Sequence, residues 1–235
     1  RATIFVLSDV RSGSTLLDQC LGAHPEVVSL GEVHWLDAYL TQNRDIYNPV
    51  HDLICTCGAL VTDCPFWRAV EGYLGRPLGS LRVWQRLNRR RNDKRLLSVL
   101  RSIPRQLVKV RPRLYRRAAF RALVGGPRVA RDCIALYDAV SSATGRAFCV
   151  DSSKTPYRFR DVYERDRGRS RAVILTRDYR AVVHSKMKRG QSLVPAASGW
   201  RLRMEQIREL TSDLPREDVH SLSYEALCTQ PAQEL

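Results

Sequence analysis

No apolar run in these 235 residues approaches the ~20 that would carry a helix across a bilayer, and no secretory leader opens them. The chain begins at Arg1 rather than Met, so neither absence speaks for what precedes it. Paired cysteines are missing too. Seven is an odd number, and in a chain of this length it argues against a small disulfide-stapled fold. Cys55, Cys57 and Cys64 cluster in CTCGALVTDCPFW, but a closed zinc site wants four ligands, usually from C-x-x-C pairs. Cys20, His24 or His51 would have to complete it, so the expectation is a packed or redox-adaptable loop and no metal. Acidic residues are nearly absent from one stretch. Between Arg82 and Arg117 fourteen Lys and Arg face Asp93 alone, which is +13 of the net +15, and the rest of the chain is close to neutral.

What is present has ordinary globular proportions, 44% hydrophobic and 27% charged. Short apolar runs that read as strands stand at 3–7, 26–30, 147–150, 172–176 and, more weakly, 219–223, with helical patterns between them at 128–143 and 178–188. Continuous apolar strands alternating with helices predict an α/β fold, a parallel sheet flanked by helices, spanning 1–235 as a single domain. Ligands in such sheets bind beyond the carboxyl ends of the strands. The basic stretch interrupts the alternation. Leu96, Leu100, Ile103, Leu107, Val110 and Leu114 step by three and four, broken at Pro104 and Pro112, which predicts an inserted basic helical cap over about 68–120. Arg82–Arg117 would then be either a solvated helical face or a surface for an acidic acceptor, an anionic membrane or, without sequence preference, nucleic acid.

The residues after the strands carry the chemistry. After the first comes SDVRSGST, a strand-loop-helix resembling the phosphate loop G-x-x-x-x-G-K-[ST]: Gly13 and Thr15 are kept, while Ser8 replaces the first glycine and Ser14 the lysine. Loss of the lysine that reaches the terminal phosphates disfavours Mg-ATP. Arg11, the hydroxyls of Ser12, Ser14 and Thr15, and the loop amides still suit a tetrahedral oxyanion at a helix N-terminus. After the fourth strand comes RDYRAVVHSKMKRG, where Arg177 ends the strand, Asp178 is placed to cap a helix, and Ser185 lies two turns in. A guanidinium and a hydroxyl so placed can clamp a second phosphate.

In that order, the two motifs resemble those of sulfotransferases that use 3′-phosphoadenosine 5′-phosphosulfate (PAPS). LTRDYRAVVHS and GEVHWL are similar to the protein-tyrosine sulfotransferase branch and its bacterial relatives, and SYEALCTQP resembles the family's Y-E-x-L segment. The resemblance covers 3–35 and 147–231 and leaves the basic cap unmatched. It implies that Arg11, Ser12, Gly13, Ser14 and Thr15 hold the 5′-phosphosulfate and that Arg177 and Ser185 hold the 3′-phosphate. It further implies Glu32 as general base and Lys154 in a K-x-P turn beside the leaving group; from side-chain chemistry alone His34, whose ordinary pKa is closer to neutral, is the rival base. PAPS would be the co-substrate and 3′-phosphoadenosine 5′-phosphate (PAP) the product. No metal is implied, and the acceptor is a hydroxyl of a carbohydrate, a tyrosine, or another small molecule or lipid.

Two other readings stand beside this one: a small-molecule kinase with a degenerate phosphate loop and Asp151 holding Mg²⁺, and a non-enzymatic polyanion-binding module. Relatives carry a further loop after Y-E-x-L, so the domain is expected to continue past Leu235. The location would be cytoplasmic for a bacterial source, or a Golgi lumen if an anchor precedes Arg1. Oligomeric state is not legible.

Overall fold

The apolar run after Arg1 becomes the central strand of a five-stranded, all-parallel sheet in the computed structural model, which describes residues 1–36, 40, 54–83, 107–108 and 111–234. The strands are β1 (Ala2–Leu7), β2 (Val27–Ser29), β3 (Phe148–Asp151), β4 (Ser170–Thr176) and β5 (Val219–Ser223), in the order β2-β3-β1-β4-β5. Each expected strand is present within two residues of its expected bounds. Alternate residues of β1 feed opposite layers. Phe5 and Leu7 join the larger core, whereas Val6 packs with Val150 of β3, Leu175 of β4 and Leu222 of β5 on the other face. Burial on both faces is why these runs are continuously apolar rather than alternating.

One face is covered by α1 (Ser14–Gly22), which supplies Leu17. The other carries α2 (Pro65–Leu74), α4 (Gly126–Thr144) and α5 (Pro156–Arg165), with a short α3 (Ala118–Leu123) between α2 and α4. Pro sits in the first turn of α2, α4 and α5, where its missing N–H is unneeded. Then come α6 (Tyr179–Met187), α7 (Leu193–Thr211), α8 (Tyr224–Thr229) and α9 (Pro231–Glu234). No described helix is long and apolar enough to cross a membrane.

The expected cap is altered where it is described. Residues 68–74 belong to α2, whose Trp67 and Val70 enter the main core, because the apolar face there meets α4 rather than solvent. The stripe through Leu107 is displaced, since Val108 is fully buried against Tyr115 and Tyr157 while Leu107 is exposed. Pro112–Arg116 is a 3₁₀ turn fastened to α7: Arg113 pairs with Glu209, and Arg116 donates to the Glu209 carbonyl at 2.6 Å and to Ser212 Oγ at 2.5 Å. Residues 84–106, with Leu96, Leu100 and Ile103, lie outside the described residues, as does Val110.

Candidate active site

The strand order places the crevice. The connection after β1 leaves toward β2 on one side, the connection after β4 leaves toward β5 on the other, and the two strands are neighbours. Such a reversal opens a gap beyond their carboxyl ends. The RSGST and RDYR segments are the loops at that gap.

The first loop turns sharply into α1, with Gly13 as N-cap at φ 91° and Arg11 at φ 71°. Among the described non-glycine residues only Arg11 and Lys154 have positive φ. Strained backbone of this kind gathers at functional sites. Side chains 166 and 174 residues away hold the turn. Arg11 Nε donates to Ser185 Oγ at 3.0 Å, and Arg177 Nη1 donates to the Arg11 carbonyl at 3.1 Å. The ammonium of Lys186, next to Ser185 on α6, is buried in an ion pair with Asp9. The Arg177 guanidinium lies 4.2 Å over the Tyr224 ring, a cation–π contact. That ring also abuts Gly13, where an added Cβ would stand 2.2 Å from Tyr224 Cδ2. Glu225 accepts the Asp178 amide at 3.1 Å. The YE segment thus ties the RSGST and RDYR loops together.

Gly13→Ala should therefore cost about 2–4 kcal/mol, from the left-handed φ and the collision with a ring that Arg177 pins. Denaturant unfolding checks the value. A loss under 0.5 kcal/mol would mean that the ring moves freely.

The second half of the site stands at β2 and β3. Their pairing continues past both strands, with Leu30 N–H to Val150 at 2.9 Å and Ser152 N–H to Gly31 at 3.0 Å, and this ladder brings Glu32 beside Lys154. Lys154 is buried and forms an ion pair with Glu32 Oε1, and its ammonium also donates to the Ser152 carbonyl at 3.1 Å. Trp35 Nε1 donates to Glu32 Oε2 at 3.1 Å, and His34 Nε2 is 3.8 Å from the same oxygen. Glu32 is 43% exposed at its side chain and so reachable by an acceptor.

No family model and no curated protein sequence matches the chain. Solved structures do match, two sulfotransferase domains among them. The sulfotransferase domain from the curacin biosynthetic pathway aligns at TM-score 0.51 and 20% identity, covering 98% of this chain and 70% of that one. The sulfotransferase domain from the Synechococcus PCC 7002 olefin synthase aligns at 0.52 and 19%, covering 100% and 70%. The fold is that of a sulfotransferase domain.

Within the sulfotransferase fold the structure gathers the expected residues into two groups: Arg11 to Thr15 with Arg177 and Ser185, and Glu32 and His34 with Lys154. Asp178 caps α6, as expected, by accepting the Arg180 amide at 2.8 Å, and Arg180 beside it holds its carboxyl down at about 2. The donor set fits a ligand with two anionic ends: buried Ser12 and Ser14 hydroxyls at the helix N-terminus, two guanidinium groups and a lysine. Asp151 departs from its kinase reading. Tyr137 Oη donates to its carboxylate at 2.5 Å, Ser153 N–H does so at 2.9 Å, and Arg158 forms a buried ion pair with it. Both oxygens are engaged, so it is a structural anchor for the β3 loop rather than a metal ligand. Asp9 and Lys186 are site-building residues that the sequence did not announce, and Tyr224 of the Y-E-x-L segment proves to pack on the first loop.

His34 fares poorly as the base. Burial first, then the cations Arg158, Lys154 and Arg203, push its pKa from 6.5 to about 2. The unfolded chain takes this proton below ~6.5 and the folded chain does not, so stability is full above that pH and declines as pH falls toward 2. Between pH 7 and pH 5 this residue should remove about 2 kcal/mol. Urea unfolding of His34→Gln at both pH values should show a drop smaller by that amount. Equal drops would contradict a neutral, buried His34.

Cys55, Cys57 and Cys64 also come together, with sulfurs within 4.8 Å of one another. Cys20 and His24 are not in this cluster, and His51 lies outside the described residues.

Proposed function

We propose that the chain moves a sulfuryl group from PAPS to a hydroxyl acceptor by in-line displacement, with Glu32 as general base. The observation that carries this reading is the Arg11–Ser185 contact, which joins two anion-binding motifs 174 positions apart across one strand reversal. A donor with separate 5′- and 3′-anionic ends calls for two such clamps side by side; a nucleoside triphosphate needs one clamp and a lysine at position 14.

In this reading Arg11, Ser12, Ser14, Thr15 and the loop amides hold the sulfuryl and 5′-phosphate oxygens, and Arg177 and Ser185 take the 3′-phosphate. When bound, the donor supplies an activated sulfuryl group on a phosphate leaving group. Sulfuryl transfer, like phosphoryl transfer, asks the protein mostly for placement and charge stabilisation. Lys154 stabilises the negative charge that develops on the leaving oxygen. Its ion pair with Glu32 links the two roles, because an anion that draws Lys154 away frees Glu32 Oε1 for the acceptor proton. Trp35 keeps the other carboxylate oxygen oriented.

The acceptor class stays as broad as the chemistry: a carbohydrate, tyrosine, small-molecule or lipid hydroxyl, and the net positive charge of the Arg82–Arg117 sequence favours an acidic one. The test is PAP formation from PAPS, followed chromatographically in chelator with a panel of such hydroxyls. Acceptor-dependent release of PAP is the expected result, and transfer from ATP in its place would establish the kinase alternative.

A further inference from the structure

The cysteine cluster shares no residue with the donor site. Its local structure follows from the sequence around it. Ile54 and Leu60 form an antiparallel bridge, Cys55 N–H donates to the Ala59 carbonyl at 2.7 Å, and Gly58 turns the chain at φ 88° with its N–H on the Cys55 carbonyl at 2.8 Å. The hairpin then runs through Asp63 into Cys64, the N-cap of α2, with Pro65 opening the helix. Three thiols that are scattered in sequence thus face one point. Cys57 Sγ lies 3.5 Å from Cys64 Sγ, which lies 3.4 Å from Cys55 Sγ, and none of the three is in a disulfide.

We propose that Cys55, Cys57 and Cys64 form a three-thiolate site for a soft divalent ion, zinc above all, whose fourth position is taken by a non-cysteine donor or water. Three observations support it. Sulfurs around tetrahedral zinc at about 2.3 Å stand roughly 3.8 Å apart, so the two separations from Cys64 Sγ need only a few tenths of an ångström of expansion, and all three sulfurs already lie within 4.8 Å of one another. A disulfide uses two sulfurs and leaves the third without purpose; a metal uses all three. Cys64 is the N-cap of α2, where the positive end of the helix dipole favours a thiolate.

The burial gradient matches a clip of this kind. Cys64 is fully buried in the main core and Cys57 is at the surface, so the ion would tie an exposed hairpin to a core helix. Binding one Zn²⁺ releases the three thiol protons to solvent and leaves three thiolates with a net site charge of −1. Soft sulfur ligands select zinc or copper(I) over magnesium or calcium. The expectation of a merely packed loop came from matching C-x-C plus one cysteine to paired C-x-x-C templates, and the Gly58 turn supplies the convergence those templates obtain from spacing.

The experiment is elemental analysis of the purified chain under reducing conditions, followed by dialysis of the reduced protein against Zn²⁺ or Co²⁺ and then against a weak chelator. About one equivalent retained per chain, with a thiolate-to-cobalt charge-transfer band in the Co²⁺ form, is the expected result. Cys57→Ser, at an exposed position that folding does not need, should weaken retention at least about tenfold and lower the band to the intensity of two Co–S bonds. Three independently titrating thiols with no metal retained after reloading would overturn the proposal. So would a native disulfide between any two of them, or retention unchanged in a Cys55→Ser/Cys57→Ser double variant.

Discussion

Glu32→Gln is expected to lower sulfuryl transfer roughly a hundred- to ten-thousand-fold while PAP binding stays within about threefold of wild type. The amide keeps the shape and can still accept the Trp35 N–H, which now reaches Glu32 Oε2 at 3.1 Å. It cannot take the acceptor's proton. Losing the ion pair leaves Lys154 with the Ser152 carbonyl at 3.1 Å, so the ammonium remains held near the crevice and available to a phosphate. Binding and turnover should therefore separate cleanly. Retained turnover would remove Glu32 from the base role, and His34, neutral and buried, is a poor candidate to replace it. Calorimetry with PAP and initial rates with PAPS are the two measurements needed.

Arg177→Ala should weaken PAP by about 2–4 kcal/mol, or roughly thirty- to a thousand-fold. The expected loss for 5′-AMP, which lacks the 3′-phosphate, is much smaller, though not zero. Arg177 also braces the first loop through the Arg11 carbonyl and lies over Tyr224, so its removal loosens the 5′ clamp as well. The ratio of the two losses is the informative quantity. Arg177→Lys keeps a charge but loses the planar fork, and should fall between wild type and Arg177→Ala for PAP. Equal losses for PAP and 5′-AMP would assign Arg177 to bracing the loop alone.

The sheet was legible because its inner strands are buried on both faces and so are written as apolar runs at 4–7, 148–150 and 172–175, whereas the edge strand β5, with His220 and Ser221 exposed, read more weakly. The two loops at the strand reversal were legible because serine, glycine and arginine at a strand end have few other uses. What escaped were contacts that need register. Nothing in SDVRSGST says that Asp9 will meet Lys186, or that Tyr224 will fill the space beside Gly13, until the strand order puts β1 next to β4 and β5 beyond it. The partners of Asp151, which the kinase alternative would need on Mg²⁺, were hidden for the same reason. Tyr137 and Arg158, from helices on one face of the sheet, engage one carboxylate oxygen, and the Ser153 N–H takes the other. The helical stripe over 96–114 reads well as a pattern, yet Val108 rather than Leu107 is buried, since Tyr115 and Tyr157 set the packing.

The central claim, that the crevice is built for a nucleotide with two separate anionic ends and no triphosphate, is tested most directly by calorimetric titration of the wild-type chain in chelator with PAP, set against Mg-ATP and against a generic polyanion. The account predicts saturable one-to-one binding of PAP without metal, at least about a hundredfold tighter than Mg-ATP. Mg-ATP binding as tightly as PAP, or the polyanion displacing both with equal strength, would contradict it.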